Sequence, residues 1–244
     1  MEYTYIVGAG SKIAVEFIKR NSNKKYILFD LDEKLPCLKE DLVGVFSNIL
    51  YFGLDIRECK KIKALFDKLK VFPCKELVVL AGVNILEEAL NISEEMWDMI
   101  IDTNLKGCFF IMREAAKNMI YHDINGSIVN IASQHGHVGN LNRAAYCASK
   151  AAVLNLNRVL ALEWATFGIR VNSISPTWIT YSHNKDLLND NEFKKKNLYK
   201  IPLRKYCTST DIVNAIEYLL SDKSRMMTCL LYTSDAADDL IGVD

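Results

Sequence analysis

The chain has 244 residues, 50% of them hydrophobic and 25% charged, and its 30 Lys+Arg balance its 30 Asp+Glu to a formal net charge of +0. That length is ordinary for one α/β unit with apolar material for both faces of a sheet, and nothing in the charge balance points to an electrostatic surface for nucleic acid or an anionic membrane. No signal peptide or run of ~20 apolar residues stands out. The seven cysteines include no Cys-x-x-Cys and read as reduced thiols of a cytoplasmic protein.

In chain order, apolar runs rich in Val, Ile and Leu fall at 3–7, 26–30, 49–54, 77–81, 128–132 and 170–174. Short runs of that kind suit parallel strands buried on both faces. Between them, stretches at 62–69, 104–121 and 146–166 carry helical periodicity. The alternation predicts an α/β fold, a doubly wound parallel sheet of the Rossmann-like type, with a ligand crevice at the carboxyl ends of its strands. No repeat or linker divides the chain, so a single domain is expected. The Lys194-Lys195-Lys196 run reads as a solvated helix face.

Chemistry begins at the first turn. Val7-Gly8-Ala9-Gly10-Ser11-Lys12-Ile13-Ala14 follows a strand and opens a helix, where backbone amides and the helix dipole favour a pyrophosphate. Lys12 either approaches a phosphate or sits solvated at the helix start. Asp30 ends the second strand, where a carboxylate accepts from both ribose hydroxyls and repels a 2′-phosphate, which favours NAD over NADP. Further on, Tyr146 and Lys150 stand at i,i+4 spacing on one helix face. At about 4 Å and an effective dielectric of ~20, an ammonium stabilises a phenolate by roughly 4 kcal/mol before desolvation, enough to make a tyrosine a usable acid/base.

His135 and His137 flank Gly136, but two histidines without a third ligand make a poor zinc site, so no metal is expected. A loop lining the substrate mouth is the better reading, with His135 or Gln134 hydrogen-bonding a polar substrate. Arg143 is open to two readings, a carboxylate or phosphate contact and a surface salt bridge, the second being the safer. Cys147, with no dedicated base nearby, is filler on its helix.

Several segments in order resemble the short-chain dehydrogenase/reductase family over the chain up to about Thr228. Asp102-Thr103-Asn104-Leu105-Lys106-Gly107 is similar to its asparagine segment, and Gly126-Ser127-Ile128-Val129-Asn130-Ile131-Ala132-Ser133 to its serine strand. Tyr146-Cys147-Ala148-Ser149-Lys150 resembles its catalytic helix, and Ile169-Arg170-Val171-Asn172-Ser173-Ile174-Ser175-Pro176 the strand that follows.

The resemblance implies that Ser133 polarises the substrate oxygen, Tyr146 passes the proton, and Lys150 binds the nicotinamide ribose and tunes the tyrosine. Asn104 would bulge its helix and anchor a water that relays protons from Lys150 to solvent. Gly8, Gly10, Ser11, Lys12, Ile13, Asp30, Asp55, Ile56, Ala81, Gly82, Pro176 and Ile179 fall at cofactor positions; Asp55 is an adenine contact or a turn cap. The chain departs from the pattern at Val7, Lys12, Ala14, Leu80 and Thr177. Residues 177–203 match the variable substrate lid.

From Cys229 the sequence Cys-Leu-Leu-Tyr-Thr-Ser-Asp-Ala-Ala-Asp-Asp stands where the family gives a glycine, a short strand and Val-Asp-Gly-Gly. It resembles translated sequencing adapter, so residues 1–228 are expected to form the enzyme domain and 229–244 a non-native tail. A truncated or replaced final strand follows, with 236–244 poorly ordered. The expected activity is NAD-dependent hydride transfer to or from a secondary alcohol or carbonyl, of a sugar, a polyol or a 3-oxoacyl group. The other reading is a dinucleotide-binding sensor or scaffold without turnover. A homo-oligomer, dimer or weakened tetramer, is expected, with no nucleic-acid or membrane partner.

Overall fold

The computed structural model of the chain describes residues 1–45, 48–180 and 188–233. The strands are β1 (Tyr3–Val7), β2 (Tyr26–Asp30), β3 (Ile49–Gly53), β4 (Cys74–Val79), β5 (Ser127–Ile131), β6 (Arg170–Ser175) and β7 (Leu231–Thr233). They form one seven-stranded sheet in the order β3-β2-β1-β4-β5-β6-β7, every neighbouring pair parallel. The chain leaves β3 and crosses to β4 on the far side of β1. The strand order reverses there, and parallel sheets hold their ligands in the crevice at that switch point.

Alternation along each strand divides the core between two layers. Tyr5, Val7, Ile27, Phe29, Leu77 and Val79 face α3 (Cys59–Lys68), α5 (Cys108–Tyr121) and α6 (Ala144–Trp164), which contribute Phe66, Ile111 and Leu160. Ile6, Leu28, Val78 and Val129 face the other way, onto α1 (Lys12–Arg20), α2 (Leu35–Asp41) and the helix Ser209–Leu220. Burial on both faces is why these strands read as continuous apolar runs rather than alternating ones.

The fourth strand starts earlier and stops earlier than its apolar run predicts. The amides of Leu80 and Ala81 both turn to the carbonyl of Val7, at 2.8 and 3.1 Å, and the ladder ends. Helix α4 (Glu94–Ile101), capped by Ser93 accepting from the Met96 amide, runs into a π-helical turn at Asp102–Gly107 before α5 begins. The helix predicted from Asn104 therefore opens on a widened turn with Asn104 inside it.

At the far edge, β7 pairs with β6 in the register Ser173↔Leu231, Ile174↔Tyr232, Ser175↔Thr233. A short strand thus stands in the place of the family's final one, and residues 236–244, expected to be poorly ordered, lie outside the described residues.

Candidate active site

The turn after β1 is built for close approach. Gly8 has φ +80°, and a Cβ there would lie 2.6 Å from the Ala81 nitrogen, so only glycine fits between the ends of β1 and β4. Ser11 caps α1 by accepting from the Ala14 amide at 3.2 Å. A cavity of about 360 Å³ opens above this turn, lined by Gly8, Gly10, Ser11, Asp30, Asp55 and Ile56 together with Ala81 and Gly82 of the β4 loop. It lies at the carboxyl end of the sheet, where the topology requires it.

Asp30 is buried at the cavity wall and engaged on both oxygens. The Gly10 amide donates to Oδ2 at 2.7 Å and the Leu31 amide to Oδ1 at 2.8 Å. Lys34, exposed and 3.9 Å from Asp30, lines the same wall. Lys12 and Ile13 do not line this cavity: Lys12 borders a separate surface depression with Glu16 and Asp41, and Ile13 is in the core beneath α1. Asp55 accepts from the backbone and guanidinium of Arg57, which holds its carboxyl below the usual carboxylate range. It is both a turn residue and part of the cavity lining.

Ser133 is set by two strand ends. The Ala132 amide donates to Ile174 at 2.8 Å and the Gln134 amide to Pro176 at 3.1 Å, which fixes the serine between them at the top of β5. Its Oγ accepts from the His135 amide at 3.1 Å. Lys150 is buried, donates from Nζ to the Ile131 carbonyl at 2.8 Å, and lies 5.8 Å from the Tyr146 ring centroid. A Cβ on Gly82 would stand 3.6 Å from that Nζ and 3.3 Å from Asn104 Oδ1, so the lysine and the asparagine stand behind the wall that Gly82 gives the first cavity.

Asn104, in the π turn, accepts from the Val83 amide at 2.8 Å and donates to the Val83 carbonyl at 2.9 Å and to Ser149 Oγ at 3.1 Å. The structure therefore brings Asn104, Ser133, Tyr146 and Lys150 to one end of the sheet, from three separate elements: the π turn, the end of β5 and α6.

A second cavity, of about 220 Å³, contains Ser133 and Tyr146 and is walled by His135, Arg143, Pro176, Trp178 and Ile179. Gly82 and Val83 line the first cavity and Asn84 the second, so one loop joins them. Ile179 is pinned by its bridge to Cys207. Tyr181 and His183 of the expected lid lie outside the described residues.

One sequence expectation changes here, and another is narrowed. Among the described residues Arg143 makes no surface salt bridge: it is buried, with its guanidinium carbon 5.3 Å from the Trp178 ring. The two histidines also part company. His135 is buried and His137 is exposed, its Nε2 3.3 Å from Ser175 Oγ. Burial, and then Arg143, push the His135 pKa down to about 4. Among the described residues no cluster of three side chains suited to a metal ion is found. Sequence reasoning missed Lys34, Met99 and Thr103 in the first cavity and the burial of Arg143 in the second. Only the i,i+4 spacing of Lys34 from Asp30 could have signalled the first of these.

Comparison with known proteins identifies the family. Residues 8–236 match the family model described as enoyl-(acyl carrier protein) reductase. The 3-oxoacyl-[acyl-carrier-protein] reductase FabG of Rickettsia bellii is 36% identical over 221 residues, covering 91% of this chain and 88% of that protein. The protein of the same name from Staphylococcus aureus (strain Mu50) is 31% identical over 223 residues, covering 91% and 89%. Among solved structures, 4-hydroxyisoleucine dehydrogenase complexed with NADH superposes with a TM-score of 0.88 at 30% identity, covering 97% of this chain and 98% of that one. The chain belongs to the short-chain dehydrogenase/reductase family and is an oxidoreductase of CH–OH and carbonyl groups.

Proposed function

We propose that the chain is an NAD-dependent dehydrogenase or reductase of a small molecule bearing a secondary alcohol or a carbonyl. The observation that carries the cofactor choice is Asp30, whose carboxylate sits at the cavity wall within hydrogen-bond distance of Gly10 and Leu31. A fixed negative charge there repels a 2′-phosphate and accepts from ribose hydroxyls. The names of the relatives support two substrate types, a 3-oxoacyl group and a hydroxy amino acid. The comparison with the NADH complex supports the cofactor.

The nicotinamide, when bound, supplies or takes up the hydride. In reduction, Ser133 Oγ donates to the carbonyl oxygen and Tyr146 donates its phenolic proton to that oxygen as the C–H bond forms. In oxidation the phenolate takes the proton back. Lys150, reached through the Gly82 wall, would hold the ribose. We assign Asn104 to positioning, through Val83 and Ser149, with the water relay resting on the family resemblance alone. Apolar residues left exposed on α5 and α6, Tyr121 at 61% and Leu162 at 74%, support a homo-oligomer, and the free cysteines support a cytoplasmic setting.

The test is turnover of a panel of ketones, polyols and hydroxy acids with NAD and NADP, beside a cofactor-binding titration. Tyr146→Phe should lose about 2–4 orders of magnitude in turnover while keeping its affinity for NADH. Cofactor binding without turnover of any member would instead favour the sensor or scaffold reading.

A further inference from the structure

Arg143 is 8% exposed, yet no side chain among the described residues neutralises it. Drawing a guanidinium out of bulk water is costly unless its charge is paired, and since none of its nitrogens is a sealed, unpartnered atom, its donors open onto the cavity that Arg143 lines. The described contact of this one is the face of Trp178, at 5.3 Å, which uses none of those donors. Its position is fixed by backbone. Glu87 bridges to Arg143, the Glu87 amide donates to the Asn142 carbonyl at 3.0 Å, and the Arg143 carbonyl accepts from the Cys147 amide at 2.8 Å. The acid brought alongside, Glu87, turns its carboxylate to the Glu88 amide at 2.9 Å and forms no ion pair with Arg143.

A second buried group in the same cavity has one ring nitrogen without a partner. His135 is 7% exposed and its Nδ1 has no hydrogen bond. The Leu141 amide donates to Asn140 Oδ1 at 2.8 Å, which fixes that carboxamide so that its Nδ2 donates to His135 Nε2 at 3.2 Å. With Nε2 accepting, a neutral imidazole carries its proton on Nδ1, an N–H with no acceptor. A cation and a neutral donor thus wall a cavity that also contains Ser133 and Tyr146, and among the described residues no carboxylate side chain lines it.

We propose that this cavity takes a substrate carrying a carboxylate, anchored by Arg143, so that the reacting alcohol or ketone is that of a short hydroxy or oxo acid. The inference rests on the oxidoreductase reading above. The carboxylate supplies the charge and the acceptor oxygens that the guanidinium lacks, and Trp178 holds the guanidinium plane while it does so. The cavity volume of about 220 Å³ matches a small acid. Anchoring one end on Arg143 leaves the carbinol or carbonyl carbon to be presented to Ser133 and Tyr146, which gives specificity without any contact to the reacting atoms.

The experiment compares lactate, 3-hydroxybutanoate and 4-hydroxypentanoate with their methyl esters, and with diols of the same skeleton, in the parent, Arg143→Gln and Arg143→Lys. Calorimetric titration of butanoate into the NADH-loaded proteins gives a second readout, and NADH affinity reports that each variant is folded. In the parent, kcat/KM for the best acid should exceed that of its ester by about 100-fold, the worth of a charge-assisted contact. Arg143→Gln should remove most of that ratio through KM, and Arg143→Lys should restore part of it. Butanoate should bind the parent and not Arg143→Gln. A parent that turns over esters or diols as well as acids overturns the carboxylate inference while leaving the oxidoreductase reading standing. Butanoate binding unchanged in Arg143→Gln overturns it too. No turnover of any acid, ester or diol, nor of the ketone panel, overturns the reading beneath it.

Discussion

Asn104 and Val83 are joined in both directions: the side-chain oxygen accepts from the valine amide at 2.8 Å, and the side-chain nitrogen donates to the valine carbonyl at 2.9 Å. A side chain here completes the backbone hydrogen bonding of the loop after β4, and the π turn sets it at the depth needed to do so. The same carboxamide also reaches Ser149 Oγ, one residue before Lys150. The loop that walls the first cavity and helix α6 are therefore held by one residue.

Asn104→Ala should accordingly behave as more than a local defect. It leaves the Val83 amide and carbonyl without partners near the cavity, at about 1–3 kcal/mol for an unsatisfied buried group. The expected outcome is a loss of stability of that order in urea unfolding, together with weaker NADH binding. Asn104→Asp keeps the acceptor for the Val83 amide and should recover part of both. Unchanged cofactor affinity in a destabilised Asn104→Ala would separate the loop from the nucleotide site and refute the coupling.

Much of the architecture was legible in the sequence for a definable reason. Strands buried on both faces write themselves as unbroken apolar runs, and Tyr3–Val7 and Tyr26–Asp30 fall where those runs do. Where a strand ends was less legible: the apolar run continues through Leu80 and Ala81, while their amides leave the ladder for Val7. The four residues proposed for catalysis could be singled out because the segments that carry them keep fixed spacing. The burial of Arg143 was not, because the ring that stacks on it, Trp178, comes from beyond β6, and a lone arginine at a helix start reads as surface. The same limit applies to Lys12 and Lys34. Both are single lysines by sequence, and only the fold shows which one borders the nucleotide-sized cavity.

That placement sharpens a cofactor prediction. Asp30→Ala removes the repulsion at the ribose end and leaves Lys34 as a cation on the cavity wall freed of its neighbouring carboxylate, while Arg57 on the same wall stays tied to Asp55. The ratio of kcat/KM for NADP over NAD should rise by about 10- to 100-fold, the worth of one or two charge-assisted contacts. Lys34→Ala in the same background should take back part of the gain, whereas Lys12→Ala should not. A parent that already prefers NADP would defeat the assignment of Asp30.

His135 predicts a pH dependence of stability. Its pKa is depressed to about 4 in the fold, first by burial and then by Arg143, with Tyr146 and Trp178 as its aromatic neighbours. The ordinary value is about 6.5. Between those two values the unfolded chain binds the proton and the fold does not, so stability increases with pH across that window. The contribution is fully present above about pH 6.5 and is lost as pH falls towards 4, amounting to about 1–3 kcal/mol. His135→Asn, which cannot take up a proton, should flatten that limb of the stability curve relative to the parent. Equal slopes in the two proteins between pH 4.5 and 6.5 would assign the effect to other groups.

The tail offers the sharpest test of the adapter resemblance. Cys229 has φ +63°, a left-handed conformation that costs a side chain about 1–2 kcal/mol and glycine almost nothing. Glycine is what the family pattern supplies there. The backbone around it is nevertheless docked: the Cys229 amide donates to the Val171 carbonyl at 2.9 Å, and the Leu230 amide to Asn172 Oδ1 at 3.0 Å. The Ser173 amide in turn donates to the Leu230 carbonyl at 2.9 Å, so the edge pairing begins before β7 itself. A segment held this way but carrying the wrong residue at its turn should gain from correction. Cys229→Gly is expected to stabilise the protein by about 0.5–1 kcal/mol, the strain relieved less the entropy glycine adds to the unfolded chain. Deleting residues 234–244 should leave the thermal midpoint and NADH affinity unchanged. A destabilising Cys229→Gly, or a deletion that abolishes cofactor binding, would mean that this tail was selected with the rest of the fold.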